Sequence, residues 1–494
     1  MDHLVIFPVI IPLAGAAVAL LLHRWPRLQG GWTLGTMVTS LLTSAAMLWQ
    51  VWQTQTPIVL QLGGWPAPSG ISFVGDLLAG VMVFMSQLVI SMGMLYALGA
   101  KDSVVTYPAF FPLFLTLATG LTGAFLTADL FNLFVFIELL VISGTVLTAA
   151  SDDKYGTEAA YKYFYISLLA AFFLLLAVGS LYVSYGTLNM ADLAQRIAVD
   201  GEQPLLPFAA AFLMATFMIK SAAFPFHFWQ PDFHTAAPTP VHAVLSSVVV
   251  KLGVYGFLRM TTLLFLAQAE LIQTILIVVG VIGVFYGGLG ATGTYDAKRM
   301  LAYSTMGQLG FILVGIGWGT PLSIAAAIVF AFNHSLAKAA MLMLAGTVAS
   351  RAPIKSAAFT VVTGLGKEIP GIGVLFFLGS LALAGIPPTN GFISKLLLFR
   401  SGIDAAQFAS LALIGVGSMV TLVYTMRAFR AIWWLAPPEG VKAKTTGDRV
   451  LAPALLIGLV LVLGVWAEPL VQLAQDTSLS LLQPAEYVQA VLGN

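Results

Sequence analysis

Long apolar runs separated by short polar loops make up most of this chain. A transmembrane helix needs roughly 20 predominantly apolar residues. Fourteen runs approach or exceed that length: 4 to 22, 31 to 52, 73 to 97, 108 to 127, 130 to 150, 158 to 185, 206 to 228, 240 to 262, 268 to 290, 300 to 319, 322 to 348, 370 to 398, 407 to 434 and 451 to 472. The pattern predicts an all-α polytopic membrane protein with about 14 transmembrane helices. The polar stretch Met190 to Ala198 predicts a short surface helix instead.

The seventh and twelfth runs contain features that interrupt a helix. Pro225 follows Lys220 in the seventh run, and Gly385, Pro387 and Pro388 divide the twelfth. Proline removes a backbone donor, and unwound backbone at membrane depth is tolerated only where it is buried or lines a watery cavity. Paired interruptions in two halves of a chain are typical of inverted-repeat transporters. Ordinary proline kinks are the alternative at this point.

Composition supports the membrane class and excludes others. Only 9% of the 494 residues are charged, against about 25% in an ordinary soluble domain. The absence of cysteine excludes cysteine-ligated iron–sulfur sites, so any redox step would lie in another subunit. A net charge of +1 without a basic cluster gives no reason to expect nucleic acid as a partner. The first run follows Asp2 and His3, which favours a retained span over a signal peptide.

Basic residues predict the orientation, because cytoplasmic loops carry an excess of lysine and arginine. These residues fall in alternate loops, at Arg24, Arg27, Lys101, Lys154, Lys298, Arg299, Arg351, Lys355, Lys367, Lys442, Lys444 and Arg449. The loops that carry them should face the cytoplasm, which places both termini on the outer side for an even number of spans.

Four lysines and one glutamate stand out inside the apolar runs: Glu138, Lys220, Lys251, Lys338 and Lys395. One charged side chain near a bilayer centre costs at least about 2.5 kcal/mol on insertion scales. This pattern indicates an ion pathway. No other charge lies within a turn of Glu138, so its partner must lie on another helix. A buried lysine binds its proton less tightly than one in water, and a carboxylate strengthens that binding. Glu138 with Lys220 is therefore a plausible switch, and a static buried ion pair is the alternative.

The remaining titratable side chains extend the series. Lys251 offers a second amine on the next helix, and His334 lies four residues before Lys338, so the two share a helix face. Lys395 follows the second interruption by about one turn. The sequence therefore predicts a proton relay of Glu138, Lys220, Lys251, His334, Lys338 and Lys395.

Two other chemistries are weaker alternatives. His227, Asp232 and His234 invite a metal site, but their proline-rich and aromatic surroundings suit a rigid turn better than a set of three or four convergent ligands. A membrane enzyme acting on lipid, with His227 or His334 as its base, would need a nucleophile or metal near the interface.

Three stretches resemble a known family: 220 to 241 (KSAAFPFHFWQPDFHTAAPTPV), 298 to 310 (KRMLAYSTMGQLG) and 383 to 395 (LAGIPPTNGFISK). They are similar to the antiporter-like proton-translocating subunits shared by respiratory complex I, membrane-bound hydrogenases and Mrp-type cation/proton antiporters. The resemblance implies fourteen helices in two inverted five-helix repeats, with a broken helix in each. It also implies that Glu138 and Lys220 form a modulating ion pair, that Lys251 with His334 forms the central relay, with Lys338 placed beside it, and that Lys395 is the terminal carrier.

The resemblance also sets expectations for organisation and function. We expect N-terminal helices at 1–107, a first repeat at 108–262, a second at 263–434, and a C-terminal helix and tail at 435–494. The chain should carry protons in a Mrp-type Na⁺/H⁺ antiporter of a prokaryotic cell membrane, as a transporter subunit rather than an enzyme and with no cofactor. The implied partners are the A, B, C, E, F and G types of Mrp subunit. The alternative is the equivalent subunit of a redox-driven pump.

Overall fold

The computed structural model describes residues 2–151, 153–437 and 442–493, which form a predominantly helical bundle. The helices are α1 (Phe7–Leu21), α2 (Pro26–Thr54), α3 (Leu77–Ala97), α4 (Phe110–Leu126), α5 (Leu130–Ala149), α6 (Lys154–Tyr185), α7 (Met190–Asp200), α8 (Leu206–Lys220), α9 (Trp229–Ala236), α10 (Thr239–Val244), α11 (Lys251–Arg259), α12 (Ala269–Gly293), α13 (Ala297–Gly317), α14 (Pro321–Arg351), α15 (Phe359–Val362), α16 (Pro370–Ala384), α17 (Asn390–Asp404), α18 (Phe408–Phe429), α19 (Leu451–Val465), α20 (Glu468–Leu481) and α21 (Pro484–Leu492).

Within the described residues, ten helices are long and apolar enough to cross a membrane. The pair α19 and α20, bent by 77°, brings the number to eleven if it counts as one span. The shorter apolar helices α4, α8 and α16 occupy the fourth, seventh and twelfth predicted runs. The all-α membrane fold is confirmed, and the count of fourteen spans stays a prediction.

The structure adds features that the apolar pattern did not indicate. Strands β1 (Ile58–Gln61) and β2 (Ser72–Gly75) form an antiparallel hairpin, with Ile58 paired to Gly75, directly before α3. The last predicted run, 451 to 472, bends after Val465 and continues into α20. We call the end of the bundle that carries this hairpin the hairpin end, and the opposite end, where α3 finishes and Lys101 follows, the basic-loop end.

Both predicted helix breaks are confirmed. Helix α8 ends at Lys220, and the chain turns through Ala222, whose φ is 51°, before α9 begins. Helix α16 ends at Ala384, and Gly385 adopts a left-handed φ of 81° before α17 begins. Each break places a lysine beside unwound backbone.

Close helix pairs recur on either side of the bundle. A Cβ added at Gly120 on α4 would lie 2.7 Å from the backbone nitrogen of Leu140 on α5. A Cβ at Gly287 on α12 would overlap the backbone of Gly307 on α13. Glycine is therefore required for these two backbones to approach. The first pair begins the expected first repeat, and the second pair begins the expected second repeat. The similarity of the two pairs supports the interpretation as repeats, but it does not test where the repeats begin and end.

The expected domain boundaries fall at different kinds of position. Residue 107 precedes α4, and residue 434 closes a π-helical turn (Arg430–Trp434) after α18. Residue 262, in contrast, lies inside the π-helical turn Met260–Leu264 that continues α11. The expected boundary between the two repeats therefore lies within a continuous helical stretch.

Candidate functional site

The first break places Lys220 at the C-terminus of α8, where a positive charge interacts favourably with the helix dipole. The side chain is buried, and its Nζ has no hydrogen-bond partner among the described residues. A buried amine without a partner is costly unless water or an approaching carboxylate satisfies it. Lys220 therefore needs water or a carboxylate as its hydrogen-bond partner.

Glu138 lies in the middle of α5, and its Oε1 is buried without a hydrogen-bond partner in the described chain. It lines a groove on the flank of the bundle between α5 and α6, together with Phe134, Tyr165, Leu168, Leu169, Ala171, Phe172 and Leu175. Among the described residues, Oε1 of Glu138 and Nζ of Lys220 are both buried and neither has a hydrogen-bond partner. Helix α6 packs against both α5 and α8, the helices that carry these two side chains. The ion pair of Glu138 and Lys220 stays a prediction.

The centre of the bundle brings Lys251 and His334 into direct contact. Nζ of Lys251 lies 2.7 Å from Nδ1 of His334, and both side chains are buried. Lys251 begins α11 one residue after the π-helical turn Leu245–Val249 ends. The hydroxyl of Ser335 donates to the carbonyl oxygen of Ser247 at 2.8 Å, which ties this turn to α14. The wider turn thereby fixes the lysine against the histidine.

Lys338 lies one turn after His334 on α14, as predicted, and its role in proton exchange with His334 stays a prediction. Its ammonium donates to the hydroxyl of Ser304 at 2.7 Å and to the carbonyl oxygen of Leu301 at 3.1 Å, both on α13. Ser304 in turn is 2.7 Å from the hydroxyl of Tyr424 on α18. These oxygens stabilise a charged amine without a carboxylate.

Lys395 lies at the second break. Its Nζ donates to the carbonyl oxygen of Ala384 at 2.8 Å and to the hydroxyl of Ser418 at 2.7 Å, and it lies 5.2 Å from the ring centroid of Phe311. The first acceptor is a backbone carbonyl at the end of α16. A helix C-terminus carries partial negative charge, so the break itself stabilises the ammonium.

A small cleft connects the central pair to the second break. It is lined by Gln308, Phe330, Asn333, His334, Ala337, Ala382, Leu383, Asn390, Gly391, Ser394 and Lys395. Nε2 of His334 is buried and lacks a hydrogen-bond partner in the described residues. The polar lining and this free nitrogen suit a bridging water, which needs two to four polar partners.

The alternative metal site is not assembled. Asp232 accepts from Arg299 at 2.9 Å and from Lys162 at 3.1 Å, so its carboxylate is bound to two cations. No group of three or more histidine, aspartate or glutamate side chains placed to hold a metal occurs in the part of the chain that the structure describes.

Three buried polar side chains near the basic-loop end were underestimated from the sequence. His234 on α9 and His242 on α10 have ring centroids 5.6 Å apart. Both nitrogens of His242, Nδ1 of His234 and both amide atoms of Gln230 are buried without a partner in the described residues. The sequence did contain a signal for His242, because this residue lies inside an apolar run, as the four lysines do.

The structure also contains a buried pair that the sequence reasoning omitted. Arg259 ends α11, and its guanidinium forms a two-pronged contact with Asp76 at the start of α3. Arg259 lies within the eighth apolar run, so the criterion that singled out the four lysines applied to it as well.

The chain is similar to known membrane proteins over its whole length. Residues 127–421 match the family described as NADH:quinone oxidoreductase/Mrp antiporter, transmembrane. The D-type subunit of the Na⁺/H⁺ antiporter of Alkalihalophilus pseudofirmus is 32% identical, with all of both chains covered. The chain belongs to this antiporter family.

Solved structures agree with that assignment. A chain of the Mrp complex from Dietzia sp. aligns with a TM-score of 0.91 and 26% identity, covering 100% of this chain and 99% of that one. A chain of the membrane-bound sulfane sulfur reductase, an archaeal respiratory membrane complex, aligns with a TM-score of 0.91 and 28% identity, with both chains fully covered. The fold is therefore shared by an antiporter complex and a respiratory complex.

Proposed function

We propose that this chain is the proton-translocating subunit of a Mrp-type Na⁺/H⁺ antiporter, acting as a transporter subunit rather than as an enzyme. The observation that carries the proposal is the direct contact of two buried proton-binding groups, Lys251 and His334, between two helix breaks that each hold a lysine. The relatives named as D-type subunits of Na⁺/H⁺ antiporters support the choice of complex.

Protons move along the line of buried groups. Lys251 and His334 exchange a proton directly, since 2.7 Å is a hydrogen-bond distance. The proton then passes from His334 through the polar cleft to Lys395. Lys338, bound to Ser304 and Leu301, holds a second charge beside the path and discourages two protons from occupying it together.

Glu138 and Lys220 control loading at the other end. Neither Oε1 of Glu138 nor Nζ of Lys220 has a hydrogen-bond partner among the described residues. A closer approach of the carboxylate strengthens the hold of Lys220 on its proton. The switch therefore alternates between this arrangement and one in which the two groups are hydrogen-bonded.

The basic loops indicate the orientation of the chain in the membrane, and the groove beside Glu138 indicates where a partner subunit binds. The basic loops face the cytoplasm, both termini lie on the outer side, and the chain spans a prokaryotic cell membrane. Glu138 borders a groove that this chain does not cover, so a neighbouring membrane subunit is needed to enclose it. We propose the A, B, C, E, F and G types of Mrp subunit as the partners, protons and a monovalent cation, Na⁺, as the transported ions, and no cofactor in this chain.

The test is proton and sodium exchange in inverted vesicles that contain the whole complex. Wild type is compared with Lys395→Ala and Glu138→Ala, and assembly is measured on native gels. We expect both variants to assemble and to lose exchange, with no redox substrate present. If the wild type exchanges ions only after an electron donor is added, the chain serves a redox-driven pump instead. The likeness to a respiratory complex makes that the relevant alternative.

A further inference from the structure

Two asparagines join the second helix break to α14. Asn390 is the first residue of α17, and its Nδ2 donates to Oδ1 of Asn333 at 3.1 Å and to the carbonyl oxygen of Asn333 at 3.4 Å. In return, Nδ2 of Asn333 donates to the carbonyl oxygen of Asn390 at 3.1 Å and to the hydroxyl oxygen of Ser394 at 2.9 Å. Both asparagines are at most 2% exposed. The two amides therefore hold each other in place.

These contacts determine which atom of the Asn390 amide is left over. If that amide were turned over, its oxygen would face two oxygens of Asn333 that can only accept hydrogen bonds. Asn333 is fixed in the same way, because its amide nitrogen faces the carbonyl oxygen of Asn390. Oδ1 of Asn390 is buried and has no hydrogen-bond partner among the described residues. One acceptor of this amide therefore remains unused.

The unused oxygen belongs to a residue that lines the same cleft as two relay groups. Asn390, His334 and Lys395 all line the cleft at the second break. Nε2 of His334 likewise lacks a partner in the described chain, and Asn333 directly precedes His334 on α14. The space open to the centres of water molecules in this cleft is about 10 Å³, close to the minimum that one water needs. The cleft thus offers one water an amide oxygen and a histidine nitrogen.

Lys395 provides the third partner for such a water. Its Nζ donates to the carbonyl oxygen of Ala384 and to the hydroxyl oxygen of Ser418. A neutral amine has two hydrogens and one lone pair, so these two contacts use both hydrogens and leave the lone pair to accept a proton. None of the described residues that line the cleft is acidic. No carboxylate there competes with the amine for the proton.

We propose that Asn390 is a positioning residue of the relay, and that its Oδ1 orients one water between Nε2 of His334 and Nζ of Lys395. Asn333 holds the Asn390 amide in place. This inference rests on the proposed function, because it takes His334 as the donor and Lys395 as the acceptor. One hydrogen of the water binds Oδ1, and the other is thereby directed to Lys395.

The transfer balances in protons and charge. Lys251 gives a proton to Nδ1 of His334, Nε2 of His334 gives its own proton to the water, and the water gives one of its hydrogens to the neutral amine of Lys395. Lys251 becomes neutral and Lys395 becomes charged, while the imidazole and the water are neutral before and after the step. Asn390 keeps its hydrogens throughout. One positive charge therefore moves from the centre of the bundle to the second break.

The first test removes the positioning oxygen. Asn390→Ala deletes the side-chain amide and leaves the backbone carbonyl that accepts from Asn333. We expect exchange per assembled complex in inverted vesicles to fall by about tenfold or more, because rates fall steeply when reacting groups are misplaced. Since proton transfer becomes the slow step, the ratio of the exchange rates in H₂O and D₂O should rise, a change that a purely structural role does not produce.

Ser380→Ala is the matched control. The hydroxyl of Ser380 is buried in α16, on the other side of the break, and donates to the carbonyl oxygen of Phe376 in the same helix. This variant also loses a buried polar group but none that lines the cleft, so it should exchange like the wild type with an unchanged ratio. Exchange by assembled Asn390→Ala at more than half the wild-type rate, or an unchanged ratio in that variant, would overturn the proposal.

A second measurement does not depend on a variant. A high-resolution electron cryo-microscopy map of the wild-type complex should show one ordered water within hydrogen-bond distance of Nε2 of His334 and Oδ1 of Asn390. A map without this water would overturn the proposal, whether or not Asn390→Ala assembles. Lys395→Ala is measured in parallel. If it loses exchange while Asn390→Ala keeps it, only the water site is rejected; if Lys395→Ala keeps exchange, the proposed relay is rejected as well.

Discussion

Nζ of Lys251 and Nδ1 of His334 lie 2.7 Å apart, although the two residues are 83 positions apart in the sequence. A hydrogen bond between two nitrogens requires a proton on one and a lone pair on the other. The contact therefore holds when the two groups share one proton at this position, and it opposes a state in which both nitrogens carry one. A shared proton is what a transfer step requires.

The first prediction concerns the amine of this pair. Lys251→Met keeps much of the side-chain length and removes the titratable group, so no buried charge is left unpaired. We expect the complex to assemble and sodium-dependent proton exchange to fall by about tenfold or more, in the range that a positioned proton-transfer group contributes. Lys367→Met, at an exposed lysine, is the control and should exchange normally. Normal exchange by an assembled Lys251→Met complex would exclude Lys251 from the relay.

The second prediction distinguishes a mobile proton from a fixed charge at Lys395. Lys395→Arg keeps the positive charge near Ala384 and Ser418, but arginine does not release its proton. We expect exchange to be lost to the same extent as in Lys395→Ala, measured per assembled complex. A fixed structural charge would instead give exchange with arginine and none with alanine.

The third prediction tests the backbone of the second break. Gly385 has a φ of 81°, and a Cβ there would overlap Cδ of Lys395. Gly385→Ala should destabilise the complex by about 1–3 kcal/mol, the cost of a strained backbone conformation. Gly371→Ala is the control on the same helix, because a Cβ there meets no atom within 4 Å; it should be neutral or slightly stabilising. Thermal unfolding of the purified complex measures both changes, and equal stability of the two variants would contradict the strain argument.

The sequence predicted the helix breaks well, because they depend on local chemistry. Pro387 and Pro388 lack the backbone N–H that a continuing helix needs, whatever surrounds them, and Gly385 readily adopts the left-handed conformation that ends a helix. The partners of buried charges were harder to predict. Glu138 was paired with Lys220 because no other charge lies within a turn of Glu138, but no hydrogen bond joins Oε1 of Glu138 to Nζ of Lys220 among the described residues. Such a contact depends on tertiary packing, which an apolar pattern does not specify.

The buried Arg259–Asp76 pair and the C-terminal bend are two features that the apolar pattern did not predict. Arg259 was visible as a charge in an apolar run, but its relation to Asp76 spans 183 positions and appears only in the folded bundle. The 77° bend between α19 and α20 directly precedes Pro469, which lies in the first turn of α20. Proline is favoured at the start of a helix, so Pro469 was a local signal for a new helix within this apolar run, although it does not specify the angle.

The last prediction concerns water near the basic-loop end. His242, His234 and Gln230 are at most 1% exposed, and five of their side-chain nitrogen and oxygen atoms have no partner in the described residues. A buried polar group without a hydrogen bond costs about 1–3 kcal/mol, so five such atoms are tolerable only if water satisfies them. Buried waters typically make about three hydrogen bonds to such groups. We expect a high-resolution electron cryo-microscopy map of the complex to show at least one ordered water that bridges the two histidines.

Hydration at this position has a functional consequence that the same measurements test. His242→Phe fills the site with an apolar ring of similar size, so the bridging water should be absent from its map. If these waters deliver protons from the basic-loop end to Lys338 and Lys251, exchange should fall in parallel with their loss. Ser410→Ala, which removes the hydroxyl that accepts from the Trp318 indole at 3.0 Å, is the control for loss of a buried polar contact outside the relay. A dry site in the wild-type map, or full exchange by an assembled His242→Phe complex, would show that protons reach the central lysines by another route.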